Sequence, residues 1–457
     1  MYFDSHIHLD DERYDSDRED VINKAFIEGV DLILNVGIDL ETSKKSIELA
    51  KKYNFIYATC GIHPHEAEKA TKEDYIKIKD LLSNEKVVGI GEVGLDYYRN
   101  ISPQNIQKDV FARFIKIAKE VKKPLIVHTR DASFDTMRIL EEEGAEDVGG
   151  VAHCFSGNID MVKKLLDMNF YISFSGQVTF KNALNIIKLV KEIPENRLLI
   201  ETDGPYLAPE PYRGKRNTPV YIKYVAQKIA DIKGLSTEDI GRITKVNAIR
   251  LFNLSINLKS AYVYPIRDSL YLNITNRCTS SCGFCIKNKN DFTKGHLLRI
   301  EREPELEDLI KEIEPNIRKY KEVVFCGYGE PSIRTDFMLD AARVLKKRGV
   351  KHIRLNTNGH GNLIAGRNIV PEFTDIIDEV CISLNANNKE TYMKVCHPIF
   401  GENTFKSVLD FILECKQYVP KVVLTFVDLP CLDMNECIKL AKTMGVEYRI
   451  RNLDEVG

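Results

Sequence analysis

MYFDSHIHLD, residues 1–10, is the stretch from which the fold of the first half can be argued. His6 and His8 stand two residues apart in it, and residues i and i+2 of a β-strand point to the same face. Both imidazoles can therefore reach one metal ion at the end of a starting strand. An isolated His-x-His pair is weak evidence, because such residues more often lie at the surface or form ordinary hydrogen bonds. A metal site needs further ligands from elsewhere in the chain.

Apolar runs and amphipathic stretches alternate regularly after this first strand. In the stretch 110–121, for example, apolar residues recur at helical spacing. The runs that predict strands are 30–38, 55–63, 87–96, 124–130, 149–157, 171–176 and 197–205. Counting the first strand, about eight strand–helix units fit within roughly 255 residues, which is the size of a TIM barrel. The sequence therefore predicts an α/β fold with an N-terminal (β/α)8 barrel.

Potential metal ligands lie at or near the C-terminal ends of several predicted strands. They are Glu92, His128, His153 and Asp203. Such ends converge on one mouth of a barrel, so these residues become candidates for a single cluster with His6 and His8. Four imidazoles and two carboxylates can hold two divalent cations with one carboxylate bridging, which favours hydrolysis at phosphorus or at an acyl carbon. Coincidence is the alternative, but six residues that follow one positional rule argue against it.

Seven short motifs surround these candidate ligands. They are DSHIHLD (4–10), GIHPH (61–65), GEVGLDYY (91–98), HTRDA (128–132), AHCFSG (152–157), ETDGPYL (201–207) and PYRGKRNTP (211–219). With them the chain resembles the TatD family of metal-dependent hydrolases over residues 1–255, apart from Gly204, where the family usually has Ala. The resemblance implies a two-metal TIM barrel with nuclease activity, often 3′-to-5′ exonuclease action on DNA or RNA. Some relatives cleave D-aminoacyl esters from tRNA, so a D-aminoacyl-tRNA deacylase is the alternative.

The resemblance also implies a role for each residue of the candidate site. The implied metal ligands are His6 and His8 for one cation, His128 and His153 for the other, Glu92 as the bridge, and Asp203. Asp203 would also orient or deprotonate the attacking water, so Asp203 and Glu92 are catalytic candidates. His63, Arg130 and Arg213 fall where the family contacts the substrate phosphate, and His63 is a catalytic candidate as well.

The helical pattern stops around residues 255–267, where Pro265 interrupts it. We therefore predict a hydrolase domain over 1–257, a linker over 258–267 and a second domain over 268–457. A strand predicted at 269–276 leads directly into the motif CTSSCGFC, with Cys278, Cys282 and Cys285 on one tight loop. Iron–sulfur clusters are held by thiolates and usually take four, so three leave one iron open for a small-molecule chelate. Zinc is the alternative, with Cys326 or His296 as a fourth ligand.

Strands and amphipathic helices alternate again in the second half. The predicted strands are 269–276, 321–330, 351–359, 379–387, 421–428 and 447–453. With CTSSCGFC and the motif GYGEP (327–331) this half resembles the radical SAM superfamily. The resemblance implies a partial (β/α)6 barrel, a 4Fe–4S cluster and S-adenosylmethionine (SAM) bound to the open iron. The implied cofactor contacts are Phe284, Gly329, Glu330, Asn358 and Ser383, and a flavodoxin or ferredoxin would supply the electron.

Composition excludes several classes of protein. The formal net charge of the 457 residues is −2, so any recognition of phosphate must be local. The basic cluster at 213–216 is either a solvated turn or a phosphate clamp beside the metal site. No apolar run is long enough to span a membrane and no secretory signal is evident, so we expect a cytoplasmic protein with reduced thiols. The resemblance to the TatD family implies DNA or tRNA as the substrate. The alternative from another class is a binding scaffold with one inactive half.

Overall fold

The computed structural model describes residues 1–313 and 317–453. Its contacts divide the chain into two compact units, Met1–Asn257 and Leu258–Gly457. Each unit is an α/β fold with its own parallel sheet and its own apolar core. Among the described residues, no helix is both long enough and apolar enough to cross a membrane.

The first unit contains eight strands in sequential order, each parallel to the next. The strands are β1 (Tyr2–Ile7), β2 (Val30–Val36), β3 (Ile56–Cys60), β4 (Val87–Asp96), β5 (Leu125–Arg130), β6 (Gly150–Ala152), β7 (Phe170–Phe174) and β8 (Leu198–Ile200). The helices are α1 (Arg18–Ile27), α2 (Leu40–Lys52), α3 (Lys72–Leu81), α4 (Gln104–Val121), α5 (Ser133–Glu142), α6 (Ile159–Asp167), α7 (Leu184–Glu192), α8 (Ile222–Lys233) and α9 (Thr237–Leu251).

The sheet of the first unit closes on itself between β1 and β8. Ile7 bridges Gly204 in parallel, and the amide of His8 donates to the Gly204 carbonyl at 2.8 Å. Helices cover the outside; α4, for example, buries Phe111, Phe114 and Ile115 completely. Burial of one such side chain contributes about 2 kcal/mol to the stability of the folded state. The predicted (β/α)8 barrel is therefore confirmed.

The second unit has a seven-stranded sheet in the order β17-β16-β15-β14-β13-β10-β9, and a separate two-stranded hairpin. The strands are β9 (Val263–Ile266), β10 (Ser269–Leu272), β11 (Phe292–Thr293), β12 (His296–Leu297), β13 (Glu322–Phe325), β14 (Ile353–Thr357), β15 (Glu379–Ser383), β16 (Lys421–Asp428) and β17 (Glu447–Asn452). The helices are α10 (Leu306–Ile313), α11 (Thr335–Lys347), α12 (Gly361–Ala365), α13 (Lys389–Cys396), α14 (Thr404–Tyr418) and α15 (Met434–Thr443). Six strands, β10 and β13–β17, are parallel, as expected for a partial (β/α)6 barrel.

Strand β9 lies within residues 258–267, for which the sequence predicted a linker. It pairs antiparallel with β10, and Pro265 stands opposite Leu270. A proline has no backbone N–H to donate, so it is tolerated in an edge strand, and β9 is the edge of this sheet. Pro265 therefore marks an edge strand here, and not only the end of a helical pattern.

Candidate functional site

The first unit brings all six predicted metal ligands together at the C-terminal mouth of its barrel. His6, Glu92 and His128 lie on β1, β4 and β5, whereas the remaining ligands lie on loops just beyond β1, β6 and β8. Backbone hydrogen bonds fix these loops: the amide of Asp203 donates to the His6 carbonyl at 2.9 Å, and the amide of His153 donates to the Val127 carbonyl at 3.2 Å. Barrel closure thus places residues from distant parts of the chain side by side.

Glu92 stands at the centre of this cluster, and its two oxygens face different imidazoles. Its Oε2 lies 3.3 Å from His6 Nε2 and 3.7 Å from His8 Nε2. Its Oε1 lies 2.7 Å from His128 Nδ1 and 2.8 Å from His153 Nε2. One carboxylate therefore divides four imidazoles into two pairs.

Asp203 completes the group around the first pair of imidazoles. Its Oδ1 lies 3.9 Å from His6 Nε2 and 3.7 Å from His8 Nε2, and the two Nε2 atoms are 3.3 Å apart. His6, His8 and Asp203 each offer one ligand atom within 4.8 Å of the other two. This is the spacing that ligands of one metal ion require.

Two glycines of β4 allow Glu92 to approach β5 this closely. A Cβ on Gly94 would lie 2.0 Å from the carbonyl oxygen of His128, and a Cβ on Gly91 would lie 2.6 Å from that of Ile126. Both glycines also have positive φ, which other residues adopt at a cost. Any side chain at these positions would push Glu92 away from His128.

Burial and neighbouring charges shift the pKa values of the cluster in different directions. Burial lowers the pKa of both His6 and His63 to about 4, so both imidazoles are neutral, and that of His6 keeps a lone pair for a metal. Burial opposes ionisation of Glu92, but the neighbouring histidines hold its pKa well below the ordinary value. Burial also acts to lower the pKa of His128 and His153, but neighbouring carboxylates outweigh it and hold both values above the ordinary one, so these two imidazoles release a proton when a metal binds. Imidazoles around an ionised carboxylate form the donor set that Zn²⁺, Mn²⁺ and related divalent cations take. The residues present therefore fit the group that the sequence implies.

Three acidic and imidazole groups that the sequence analysis did not single out lie behind the cluster. Glu201 is fully buried, with Oε1 3.4 Å from His153 Nδ1, while its Oε2 has no hydrogen-bond partner among the described residues. Asp96 Oδ2 lies 2.9 Å from His65 Nε2 and 3.3 Å from His128 Nε2. Carboxylates in such positions orient metal-binding imidazoles. Glu201 could have been found from its position two residues before Asp203.

The three predicted phosphate contacts occupy different positions. His63 Nε2 lies 3.4 Å from Glu92 Oε1. His63, Glu92 and His128 form another group with ligand spacing, as do His6, His153 and Glu201. Arg130 stacks on Tyr98 with its guanidinium carbon 4.1 Å from the ring centre. Arg213 stacks in the same way on Phe180 at 4.3 Å. The structure therefore joins His63 to the metal cluster and holds both arginines on aromatic rings.

The basic cluster at 213–216 divides in two in the structure. Arg216 forms an ion pair with Asp17, with Nη1 2.8 Å from Oδ1, and covers the Tyr14 ring. Its charge is thus balanced within the protein, and Arg213 is the better candidate for an external anion.

The second unit carries the three cysteines on the loop that follows β10. Cys278, Cys282 and Cys285 are free and partly exposed. The loop is fixed against the end of α13, because the amides of Ser281 and Gly283 donate to the carbonyls of Cys396 and Val395 at 3.1 and 3.2 Å. His296, one candidate for a fourth zinc ligand, has Nε2 3.0 Å from the Pro265 carbonyl. Three accessible thiols on an anchored loop fit an iron–sulfur cluster with one open iron.

Glu330 is buried beside this loop and accepts four hydrogen bonds. Its Oε1 accepts from the Ser332 amide at 3.0 Å and from the hydroxyls of Ser332 and Thr357 at 2.7 Å, while Oε2 accepts from the Asn358 amide at 2.7 Å. Gly329 allows this approach, since a Cβ there would lie 2.2 Å from the Arg277 carbonyl oxygen. Burial raises the pKa of Glu330.

The other predicted cofactor contacts line two cavities. Glu330, Asn358 and Ser383 border a polar cavity of about 200 Å³ at the C-terminal ends of the strands, whereas Phe284 borders an apolar cavity of about 440 Å³. The side-chain amide of Asn358 donates to the Thr279 hydroxyl at 3.0 Å, next to Cys278. The structure therefore gathers Glu330, Asn358 and Ser383 at one cavity and places Phe284 at another.

Comparison with known proteins agrees with this division. The family model for TatD-related DNases matches residues 3–253, and that of the radical SAM superfamily matches residues 272–444. The chain is 52% identical over 255 residues to the uncharacterized metal-dependent hydrolase YabD of Bacillus subtilis, which covers 56% of this chain and 100% of that protein. It is 34% identical over 261 residues to the 3′-5′ ssDNA/RNA exonuclease TatD of Escherichia fergusonii, covering 55% of this chain and 99% of that protein.

A solved structure shows the same fold for the first unit. The crystal structure of YJJV, a TatD homologue from Escherichia coli, superposes with a TM-score of 0.53 at 25% identity, covering 55% of this chain and 98% of that one. These relatives match the first unit alone, and the radical SAM family model matches only the second.

Proposed function

The chain belongs to the TatD-related DNase family and also carries a radical SAM domain, and from this premise we propose that its first unit hydrolyses phosphodiester bonds at the ends of nucleic acids. The observation that supports the proposal is the central position of Glu92, whose Oε2 faces His6 and His8 and whose Oε1 faces the imidazoles of His128, His153 and His63. One relative is named as a 3′-5′ exonuclease of single-stranded DNA and RNA. A phosphodiester is the substrate that this arrangement suits best.

Each residue of the cluster has a part in this proposal. His6 and His8 with Asp203 would hold one divalent cation, His128 and His153 would hold a second, and Glu92 would bridge them. The cations would activate water and neutralise the charge of the displaced oxygen. Asp203, the ligand that lies beside the first pair only, would accept the proton of the attacking water at a carboxylate oxygen.

Phosphate binding is assigned to residues at the rim of the cluster. His63 would donate a hydrogen bond to a non-bridging oxygen, because it lies within 3.4 Å of the bridging carboxylate. Arg130 and Arg213 would bind neighbouring phosphates. Both are held on aromatic rings, so their guanidinium groups lose little freedom on binding.

The experiment that tests this proposal compares three substrates on metal-stripped protein to which Mg²⁺, Mn²⁺ or Zn²⁺ is restored. Single-stranded DNA labelled at its 5′ end should give a ladder that shortens from the 3′ end, and DNA blocked by a 3′ phosphorothioate should resist. D-aminoacyl-tRNA should remain acylated. Deacylation without DNA cleavage would replace the nuclease by an ester hydrolase at the same cluster.

For the second unit we propose a radical SAM enzyme whose cluster is held by Cys278, Cys282 and Cys285. The cluster would deliver one electron to SAM and so start radical chemistry. Glu330 and Asn358 would position the cofactor, and a flavodoxin or ferredoxin would supply the electron. Anaerobic reconstitution should give about four irons per chain, and reduction with dithionite should yield 5′-deoxyadenosine. Absence of both would contradict the proposal.

A further inference from the structure

The inner face of the second sheet is polar, which is unusual for parallel strands. Parallel sheets are normally apolar on both faces. On β14, Ile353 and Leu355 join the apolar core beneath the helices, whereas Arg354 and Asn356 occupy the opposite face. β15 repeats the pattern, with Val380 and Ile382 in the core and Cys381 on the other face. The interior of the partial barrel is thus built for polar contents.

Three arginines converge on the polar cavity of about 200 Å³ inside this barrel. They are Arg354 of β14 and Arg449 and Arg451 of β17. Arg449 and Arg451 lie opposite Thr425 and Val427 of β16 and two residues apart, so their side chains share one face. β17 is the last strand of the sheet, so both residues are exposed at its open side. A molecule that enters from this side meets them first.

The positive charge of this cavity is only partly balanced. Arg354 is 6% exposed, and its Nη2 lies 2.8 Å from Glu322 Oε1, but its Nε has no hydrogen-bond partner among the described residues. Across residues 1–313 and 317–453, no ion pair or side-chain hydrogen bond is found for Arg449 or Arg451. Glu330 is the acidic residue on the cavity wall, and both its oxygens already accept hydrogen bonds.

An anion in this cavity would balance the charge of Arg449 and Arg451 and supply an acceptor to the buried Nε of Arg354. Like charges that face one small cavity repel each other, and a buried guanidinium N–H without an acceptor loses the hydrogen bond it made to water. A guanidinium group binds carboxylate or phosphate through two parallel hydrogen bonds, which offset both costs.

We propose that the substrate of the radical SAM domain carries an oxyanion group, phosphate or carboxylate, that binds to Arg449 and Arg451 inside the barrel, with Arg354 beneath them. This inference rests on the proposed function of the second unit. It assigns the substrate a chemical class, because a neutral molecule would leave the guanidinium groups of Arg449 and Arg451 without a counter-charge and the Nε of Arg354 without an acceptor. The same residues could instead meet the carboxylate of SAM, and the experiment must separate the two sources.

The test uses the full chain, reconstituted anaerobically and dialysed against EDTA so that divalent cations leave the first unit. Every preparation also carries R130Q and R213Q, which remove the arginines proposed to bind phosphate in the first unit. Inorganic phosphate is the probe, followed by the width of its ³¹P resonance, and acetate is titrated as a competitor to compare the two oxyanions. The double variant R449Q/R451Q should weaken phosphate binding at least about 10-fold. The double variant R449K/R451K keeps the positive charge and should recover part of the phosphate affinity. The control is R343Q, which changes an exposed arginine of α11 that pairs with Asp340, and this variant should bind phosphate as the unchanged protein does.

SAM binding, measured by calorimetry on the same preparations, separates the sources. We expect R449Q/R451Q to bind SAM within about twofold of the unchanged protein. An equal loss of SAM and phosphate binding would overturn the proposal in favour of the SAM carboxylate. Unchanged phosphate binding in R449Q/R451Q, with its far-ultraviolet circular dichroism intact, would also overturn it. Failure of the proposed radical SAM function is distinct, since it would appear as missing iron or missing 5′-deoxyadenosine.

Discussion

The two units build their sites in opposite ways. In the first, six ligand-type residues come from strand ends up to about 197 residues apart, and only closure of the barrel brings them together. In the second, the three cysteines lie within eight residues on one anchored loop. Their central carboxylates differ as well: Glu92 is surrounded by imidazoles, whereas Glu330 is surrounded by neutral donors. The ligands of a dispersed site meet only through the global fold, whereas the ligands of a local site are already neighbours in the sequence.

The largest effect is expected from removal of the charge that the dispersed site shares. Glu92→Gln keeps the shape but leaves both pairs of imidazoles without a common anion, so two-metal binding should fail. We expect kcat for single-stranded DNA hydrolysis to fall about 10³-fold or more. Metal content by mass spectrometry should fall from two divalent ions per chain. Glu41→Gln, the same change on exposed α2, should alter stability by no more than about 0.5 kcal/mol and leave hydrolysis intact.

We expect the loss of one thiolate to abolish the iron–sulfur cluster of the second unit. Cys282→Ser removes one of three cluster ligands, so iron and sulfide content should drop to near background and 5′-deoxyadenosine formation should be lost. Cys431→Ser, at an exposed cysteine, provides the matched control and should retain iron. If Cys282→Ser kept a full complement of iron, the loop would not be the cluster site.

A smaller loss is expected from the carboxylate behind the first cluster. Asp96→Asn weakens the acceptor that lies 3.3 Å from His128 Nε2 and 2.9 Å from His65 Nε2. Loss of a carboxylate that orients a metal-binding imidazole usually lowers metal affinity or activity by roughly 10- to 100-fold. The Mn²⁺ concentration at half-maximal DNA hydrolysis should rise accordingly, and excess Mn²⁺ should restore most of the rate. A rate that excess metal cannot restore would give Asp96 a different role.

The same contrast explains what could be predicted from the sequence. The barrel and the positions of Glu92, His128, His153 and Asp203 follow from alternation and strand ends, because parallel strands end on one side. The role of Asp96 does not follow, since its partners His65 and His128 meet it only after β3, β4 and β5 have been aligned. Glu201 stands two residues before Asp203 and could have been found from that position, but its contact with His153, 48 positions earlier in the chain, also depends on the fold.

In the second unit the local motif was informative and the surroundings were not. CTSSCGFC is readable in the sequence, but the donors to Glu330 come from Ser332, Thr357 and Asn358, and the last two belong to the end of another strand. Strand β9 was also missed, because it is short and contains Pro265. Edge strands of this kind depend on a neighbour for pairing, which the sequence of four residues does not reveal.

The smallest effect should come from Glu330, whose carboxylate is fixed by hydrogen bonds. Glu330→Gln replaces one acceptor oxygen by an amide group, so at least one of the four donors loses its acceptor and faces another donor. A buried donor left in this way costs about 1–3 kcal/mol. Urea unfolding of the anaerobically reconstituted chain, followed by the visible absorbance of the cluster, should show this loss, while iron content stays unchanged. The control is Glu390→Gln, which makes the same chemical change at an exposed position of α13 where no buried donor depends on the carboxylate. Equal stability of the two variants would mean that the carboxylate of Glu330 does not depend on these four donors, and that the contrast with Glu92 is weaker than the contacts suggest.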